Sequence, residues 1–347
     1  MSESIVIACR SCSKKNRLRV EQALADLAKP VCGSCRQNLF LPREEPLDAV
    51  KPHDVQHPQD RRALESLRQI PGVETMTRLL IKESYERSEI MRHYASYIRV
   101  SEAQLPDVFR LYRQAARRLH VEPLPDLFLV QSPQANAYTF GSSRPVIAVT
   151  SGMLELLAPE ELAGVLAHEL THVKCDHVLF KTAARFIAFA GGNIAASTFG
   201  LSNLVLAPLR LALLEWDRCS ELTADRGALL VTASIDVQNR TLMKLAGGST
   251  AIYRQLSVEA FNEQVQALES MQNESWVNRL TGLIQTLERT HPFPVWRARF
   301  AREWAATPEF FQLLANNPPR IEVKVKPKSK RAADDDFITR AKRMLDK

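Results

Sequence analysis

Cysteine is scarce in this chain, with six in 347 residues, and aromatic residues reach only 7%. The first count excludes a disulfide-stapled secreted scaffold, because such chains are dense in cysteine. Glycine, at 12 residues, is far too rare for a collagen-like chain. No internal repeat is visible. Apolar residues at 45% and charged residues at 24% are globular values and exclude wholesale disorder. The first ten residues hold only the short apolar run Ile5–Ala8 before Cys9, so no export signal is expected. A reducing cytoplasm is therefore the expected location, and paired cysteines there point to metal and not to disulfides.

What is present suggests two domains or so. Cys9, Cys12, Cys32 and Cys35 cluster within residues 1–40. Residues 41–59 carry Pro42, Pro46, Pro52 and Pro58, a density that suits an extended linker. Helical texture begins at Asp60, read as an N-cap, and Pro71-Gly72 ends that first helix. Further helices are predicted over about 73–98 and 106–119. Three short strands follow at Leu127–Val130, Asn136–Phe140 and Val146–Val149. A helix is expected from Pro159 through His168 to about His177, and helical texture again over 211–314. The predicted fold class is α+β. A small ribbon (1–40) and a Pro-rich linker (41–59) precede a mainly helical domain with a small sheet (60–318), and a charged tail closes the chain (319–347).

The net charge of +7 is concentrated in residues 61–120, where 12 Arg/Lys face 7 Asp/Glu. Aromatic residues are not interleaved with these charges. A solvated basic helical face explains this better than a nucleic-acid or anionic-lipid surface does.

The sharpest chemical signal is His168-Glu169-Leu170-Thr171-His172. Residues i and i+4 share a helical face, so both imidazoles can reach one ion, with Glu169 beside them as a general base. A third protein ligand is needed, with one position left open for water. Position 178 is valine, which excludes a third histidine ten residues after the first, and no carboxylate lies between Asp176 and Glu215. Glu215, Asp217 and Glu221 are therefore the candidates. Glu221 is preferred, because Asp225 lies one turn further on the same face and can accept a hydrogen bond from a ligand imidazole.

These motifs, with Ser220–Asp225, resemble the HtpX and CAAX-prenyl-protease type of metallopeptidase. Asn136-Ala137-Tyr138-Thr139-Phe140-Gly141 is similar to that family's Asn-Ala segment. His291-Pro292-Phe293-Pro294-Val295-Trp296-Arg297 is similar to its late His-Pro segment. The resemblance covers roughly residues 60–315. It implies a zincin-like domain that cleaves polypeptides with a zinc-bound water. His168, His172 and Glu221 would be its ligands and Glu169 its base. Asn136 and His291 would lie near the oxyanion, the Asn136–Phe140 strand beside the substrate backbone, and Arg297 against Asp225 or the His291 loop.

Cys9-x-x-Cys12 and Cys32-x-x-Cys35 match a four-thiolate zinc site, which leaves no open position and is structural. Two Zn2+ ions, one catalytic and one structural, are expected. The ribbon is a candidate surface for a protein partner. Its basic loop is weak evidence for nucleic acid. A ribbon adaptor or nucleic-acid-binding protein on a peptidase-like scaffold is the alternative function.

Residues 186–209 hold no charge over 24 positions. The run lies between the second histidine and Glu221, so both ends must return to one site, which excludes a single straight span. Two spans need about 40 apolar residues, and Phe186 to Leu214 supplies 29. A short helical hairpin folded on the protein is expected, with peripheral membrane contact at most.

Overall fold

The computed structural model describes residues 4–27, 29–47, 50–69, 85–141, 143–182, 203–248, 251–264, 267 and 294–316, with the backbone alone at 85 and over 203–211. The N-terminal unit is a hairpin of β1 (Ser4–Ala8) and β2 (Lys15–Arg19), followed by α1 (Val20–Ala25). Next come α2 (Pro52–Val55), α3 (Pro58–Arg68) and α4 (Tyr85–Ser96). β3 (Ile98–Arg99), α5 (Pro106–Leu119), β4 (Asp126–Val130), β5 (Ala137–Phe140) and β6 (Val146–Thr150) then build the sheet region. Later helices include α6 (Ser151–Leu156), α7 (Pro159–Lys174), α8 (Asn203–Thr232), α9 (Ile235–Gly247), α10 (Pro294–Ala305) and α11 (Pro308–Leu314). Mostly helical with small sheets, this is the α+β class expected.

The larger sheet runs in the order β3-β4-β6-β5. β4 and β6 are parallel, and the other pairs are antiparallel. β6 is buried at every position, as a continuous apolar strand between neighbours should be. β3, a two-residue strand, has no signal of its own in the sequence.

α7 starts where the sequence requires it to. Pro159 occupies the first turn, and Glu161 accepts the Ala158 N–H at 2.8 Å. Its side chains Leu166, Ala167 and Leu170 are fully buried. α7 crosses α8 at very short range. A Cβ on Gly227 would lie 1.8 Å from Thr171 Oγ1, and one on Gly164 would lie 3.0 Å from Thr232 Cγ2. Glycine at 227 is thus what lets the two helices touch.

Two expectations are corrected. Residues 41–59 are not an extended linker: Leu41, Leu47, Val50 and Val55 are buried in the same core as α5 and α7. The backbone of Leu41 donates to Leu314 O, and Phe40 packs on Phe311 with ring centroids 5.8 Å apart. The buried guanidinium of Arg118 donates to the carbonyls of Pro42, Glu45 and Leu230, so one α5 side chain ties this segment to α8. Prolines at this density restrict the backbone, but they leave the intervening apolar side chains available for packing. Asp60 is also not the cap of α3. His57 is, accepting the Gln59 N–H through Nδ1 at 3.2 Å, with Pro58 in the first turn. Asp60 points inward and is fully buried. α3 ends at Arg68 with Gln69 as its C-cap; Pro71-Gly72, expected to end it, and the first part of the helix expected over 73–98 lie outside the described residues. So do the tail and most of the uncharged run.

Phe40→Ala should cost about 3–5 kcal/mol, the usual loss for a truncated buried aromatic. Urea unfolding followed through the helical signal of the whole protein checks this. A ribbon on a loose tether would leave that midpoint unmoved.

Candidate metal centre

His168 and His172 are one turn apart on α7 and face Glu221 on α8. His168 Nε2 is 3.2 Å from Glu221 Oε2, and His172 Nε2 is 3.3 Å from Glu221 Oε1. The three ligand atoms lie within 4.8 Å of one another, and all three residues are buried. Zinc with ligand arms of 2.0–2.1 Å in a tetrahedron requires separations of about 3.4 Å. His172 Nε2 is buried and lacks a hydrogen bond, which is the state of a lone pair aimed at a metal. The residues present therefore fit a zinc ion. Burial and the nearby Lys181 charge hold the His172 imidazole well below its usual range, so it is neutral and ready to ligate. Burial acts the same way on His168, but Glu221 and Asp225 outweigh it and raise that imidazole to about 9. A proton thus competes for His168 when no metal holds it.

Asp225 faces His168 Nδ1 at 3.2 Å. Arg297 on α10 clamps Asp225 with two hydrogen bonds, 2.7 Å to Oδ2 and 2.6 Å to Oδ1, and reaches Glu221 Oε2 at 3.3 Å. Gln238 Nε2 donates to the same Asp225 oxygen at 3.1 Å. Burial would raise the Asp225 carboxyl, but Arg297 overrides it and keeps the pKa below its ordinary value. Of the two positions expected for Arg297, the structure shows the one against Asp225. On the other side of Glu221, Lys181 Nζ donates to Oε1 at 2.8 Å and to Asp217 at 2.6 Å. Asp217, one of the three candidate ligands, is thus a partner of Lys181. Glu215, another, is bonded to Arg218.

Glu169 is buried beside the histidines, and Thr139 on β5 donates to its Oε2 at 2.6 Å. Asn136 immediately precedes β5. Its backbone N–H donates to Thr150 Oγ1 and its carbonyl accepts the Thr150 N–H. His291 lies outside the described residues.

Three contributors escaped the sequence reading. Thr139 carries no signal beyond its place in a strand. Lys181 follows an apolar stretch and shows its role only when α8 is placed against it. His177 had one signal, a histidine nine residues after His168, but failed the spacing of a third ligand. Its Nδ1 lies 3.0 Å from His172 Nδ1, and its Nε2 lies 3.1 Å from Asp60 Oδ2.

The four ribbon cysteines converge at the other end of the chain. Sγ separations are 3.5 Å for Cys9–Cys35 and 3.6 Å for Cys12–Cys32, and all four are free thiols. Arms of about 2.3 Å in a zinc tetrathiolate place sulfurs about 3.8 Å apart. Backbone N–H groups of Cys35 and Ser34 lower the Cys32 thiol to about 6, whereas at Cys35 the Gln37 N–H is outweighed by burial and the three neighbouring thiols, which push it up to about 12.

The description Peptidase family M48 matches residues 102–305. A plastoglobule-localized metallopeptidase 48, chloroplastic, from Arabidopsis thaliana is 38% identical over 289 residues, covering 82% of this chain and 80% of that one. A protease HtpX homolog from Salinibacter ruber is 28% identical over 226 residues, covering 60% and 77%. One from Burkholderia mallei is 28% identical over 232 residues, covering 61% and 78%. No solved structure matches.

Arg297→Met removes the cation between two buried carboxylates and should lower the unfolding free energy by about 3–5 kcal/mol. Arg297→Lys should recover only part, because one ammonium cannot form the two-pronged bond to Asp225. Denaturant unfolding of both variants checks this.

Proposed function

This chain belongs to peptidase family M48 and is a zinc metalloprotease acting on polypeptides, and on that footing we propose that His168, His172 and Glu221 hold the catalytic zinc and that Glu169 is the general base. The observation that carries this is the convergence of three ligand atoms within 4.8 Å, next to a carboxylate that Thr139 holds at 2.6 Å. When bound, zinc lowers the pKa of its water to about 7 and polarises the scissile carbonyl. Glu169 takes the proton of the attacking water and delivers it to the leaving amine. Thr139 fixes one oxygen of that carboxylate, so the base keeps its orientation through both transfers. Asn136 and His291 serve the tetrahedral oxyanion, a role supported by the family resemblance of their segments. Asp225, held by Arg297, orients His168 and keeps its Nε2 directed at the metal.

The four cysteines hold a second, structural zinc, and the ribbon over 1–40 together with the domain over 60–318 forms one packed unit. The ribbon offers a surface to a protein partner. The adaptor and nucleic-acid readings are not favoured, because the matching family and the named relatives are peptidases. No helix among the described residues is long and apolar enough to cross a membrane. Peripheral lipid contact is the reading that the plastoglobule in the name of the Arabidopsis relative supports.

Glu169→Gln should keep its zinc and lose casein hydrolysis by a factor of at least about 10². Retention of most of the activity would remove Glu169 from its role. Elemental analysis should give two zinc ions per chain, and a chelator should strip the open site before the tetrathiolate. One zinc ion, or disulfides on thiol titration, would sink the two-site assignment.

A further inference from the structure

His172 and His177 face each other Nδ1 to Nδ1 at 3.0 Å, so one of the two nitrogens must carry the shared proton. A histidine that turns Nε2 to a metal keeps its proton on Nδ1. His172 therefore donates and His177 accepts. That places the proton of His177 on Nε2, which lies 3.1 Å from Asp60 Oδ2. The same Asp60 oxygen accepts the Thr223 hydroxyl at 2.7 Å, and Thr223 Oγ1 accepts the backbone N–H of His57 at 2.9 Å. Asp60, His177 and Thr223 are all fully buried. Thr223 lies on α8 between Glu221 and Asp225, and the ring of His57 also packs edge-on against Phe300 of the Arg297 helix.

The backbone explains how His177 reaches His172. Asp176 takes a left-handed conformation (φ 57°) just past the end of α7, and the His177 N–H returns to His172 O at 3.0 Å. This six-to-one closure folds the chain back, so the residue after the turn stacks beside the last ligand of the helix.

We infer that His177 and Asp60 are positioning residues for the zinc ligand His172, so that residues 57–60, which precede the family-matched region 102–305, complete the metal centre. The inference rests on the reading of His168, His172 and Glu221 as that centre. His168 has its carboxylate directly, in Asp225. His172 reaches one through a second imidazole, and that carboxylate comes from α3, which precedes the family-matched region. A carboxylate behind a ligand imidazole fixes the ring and raises its basicity, and losing such support costs 10–100-fold in metal affinity.

The test uses the full-length zinc-loaded protein and competition for zinc with a chromophoric chelator. Asp60→Ala and His177→Phe are expected to weaken the more labile zinc by about 10–100-fold and to leave the tighter one unchanged. Their zinc-dependent rise in Tm should shrink accordingly. A purely structural role would instead lower the Tm of metal-free and zinc-loaded protein alike. Asp60→Asn keeps the shape and the Thr223 bond, and serves where Asp60→Ala does not fold; it is expected to weaken the labile zinc by about 10-fold. A labile-site affinity unchanged in a folded Asp60→Asn or His177→Phe protein overturns the inference and leaves the metal centre standing. A His168→Ala protein that still binds both zinc ions overturns the metal centre itself, and the inference with it.

Discussion

The close crossing of α7 and α8 is the constraint on which the rest of the site depends. His168 and His172 belong to one helix and Glu221 to the other. Their ligand atoms come within 4.8 Å of one another where the helices touch and Gly227 faces Thr171, with no room for a Cβ between them. Any larger residue at 227 would have to push α8 away. A tetrahedral zinc site tolerates errors of only a few tenths of an ångström in its ligand atoms, so the packing of two helices and the chemistry of the site are one requirement.

Around that crossing the charges are layered. Glu221 lies between Lys181 and Arg297, and Arg297 also clamps Asp225 behind His168. These groups are almost entirely removed from water, where an unmatched charge is costly and a matched one is rigid. Three helices, α7, α8 and α10, therefore meet through ion pairs as well as apolar contacts. The site is held from behind by these polar partners.

The N-terminal part of the chain is bound into the same architecture. The backbone carbonyls of Pro42 and Glu45 are held by Arg118, and Leu41 is hydrogen-bonded to Leu314. His57 and Asp60 meet α8 at Thr223. What reads as a spacer thus packs against the protease domain, with its prolines shaping the backbone between buried side chains.

The sequence by itself determined the chemistry and much of the local structure. The i, i+4 spacing of His168 and His172 fixes a shared helical face, and the two Cys-x-x-Cys pairs fix a four-thiolate set. Pro106 and Pro159 mark helix starts that the structure reproduces. Glu221 and Asp225 were legible because a carboxylate pair one turn apart followed a long stretch without any. Only the tertiary structure separates Glu221 from its neighbours Glu215 and Asp217, by bringing a Glu221 carboxylate oxygen within 4.8 Å of the ring nitrogens of both His168 and His172. It also turned Asp60 from an apparent cap into a buried partner of His177, gave Thr139 its place on Glu169, and packed residues 41–59 into the core. The physical reason is range. Helical and metal-ligand spacings are periodic and local, so they leave a trace along the chain. A contact between Asp60 and Thr223, 163 residues apart, depends on how whole helices cross, and no spacing in the sequence records it.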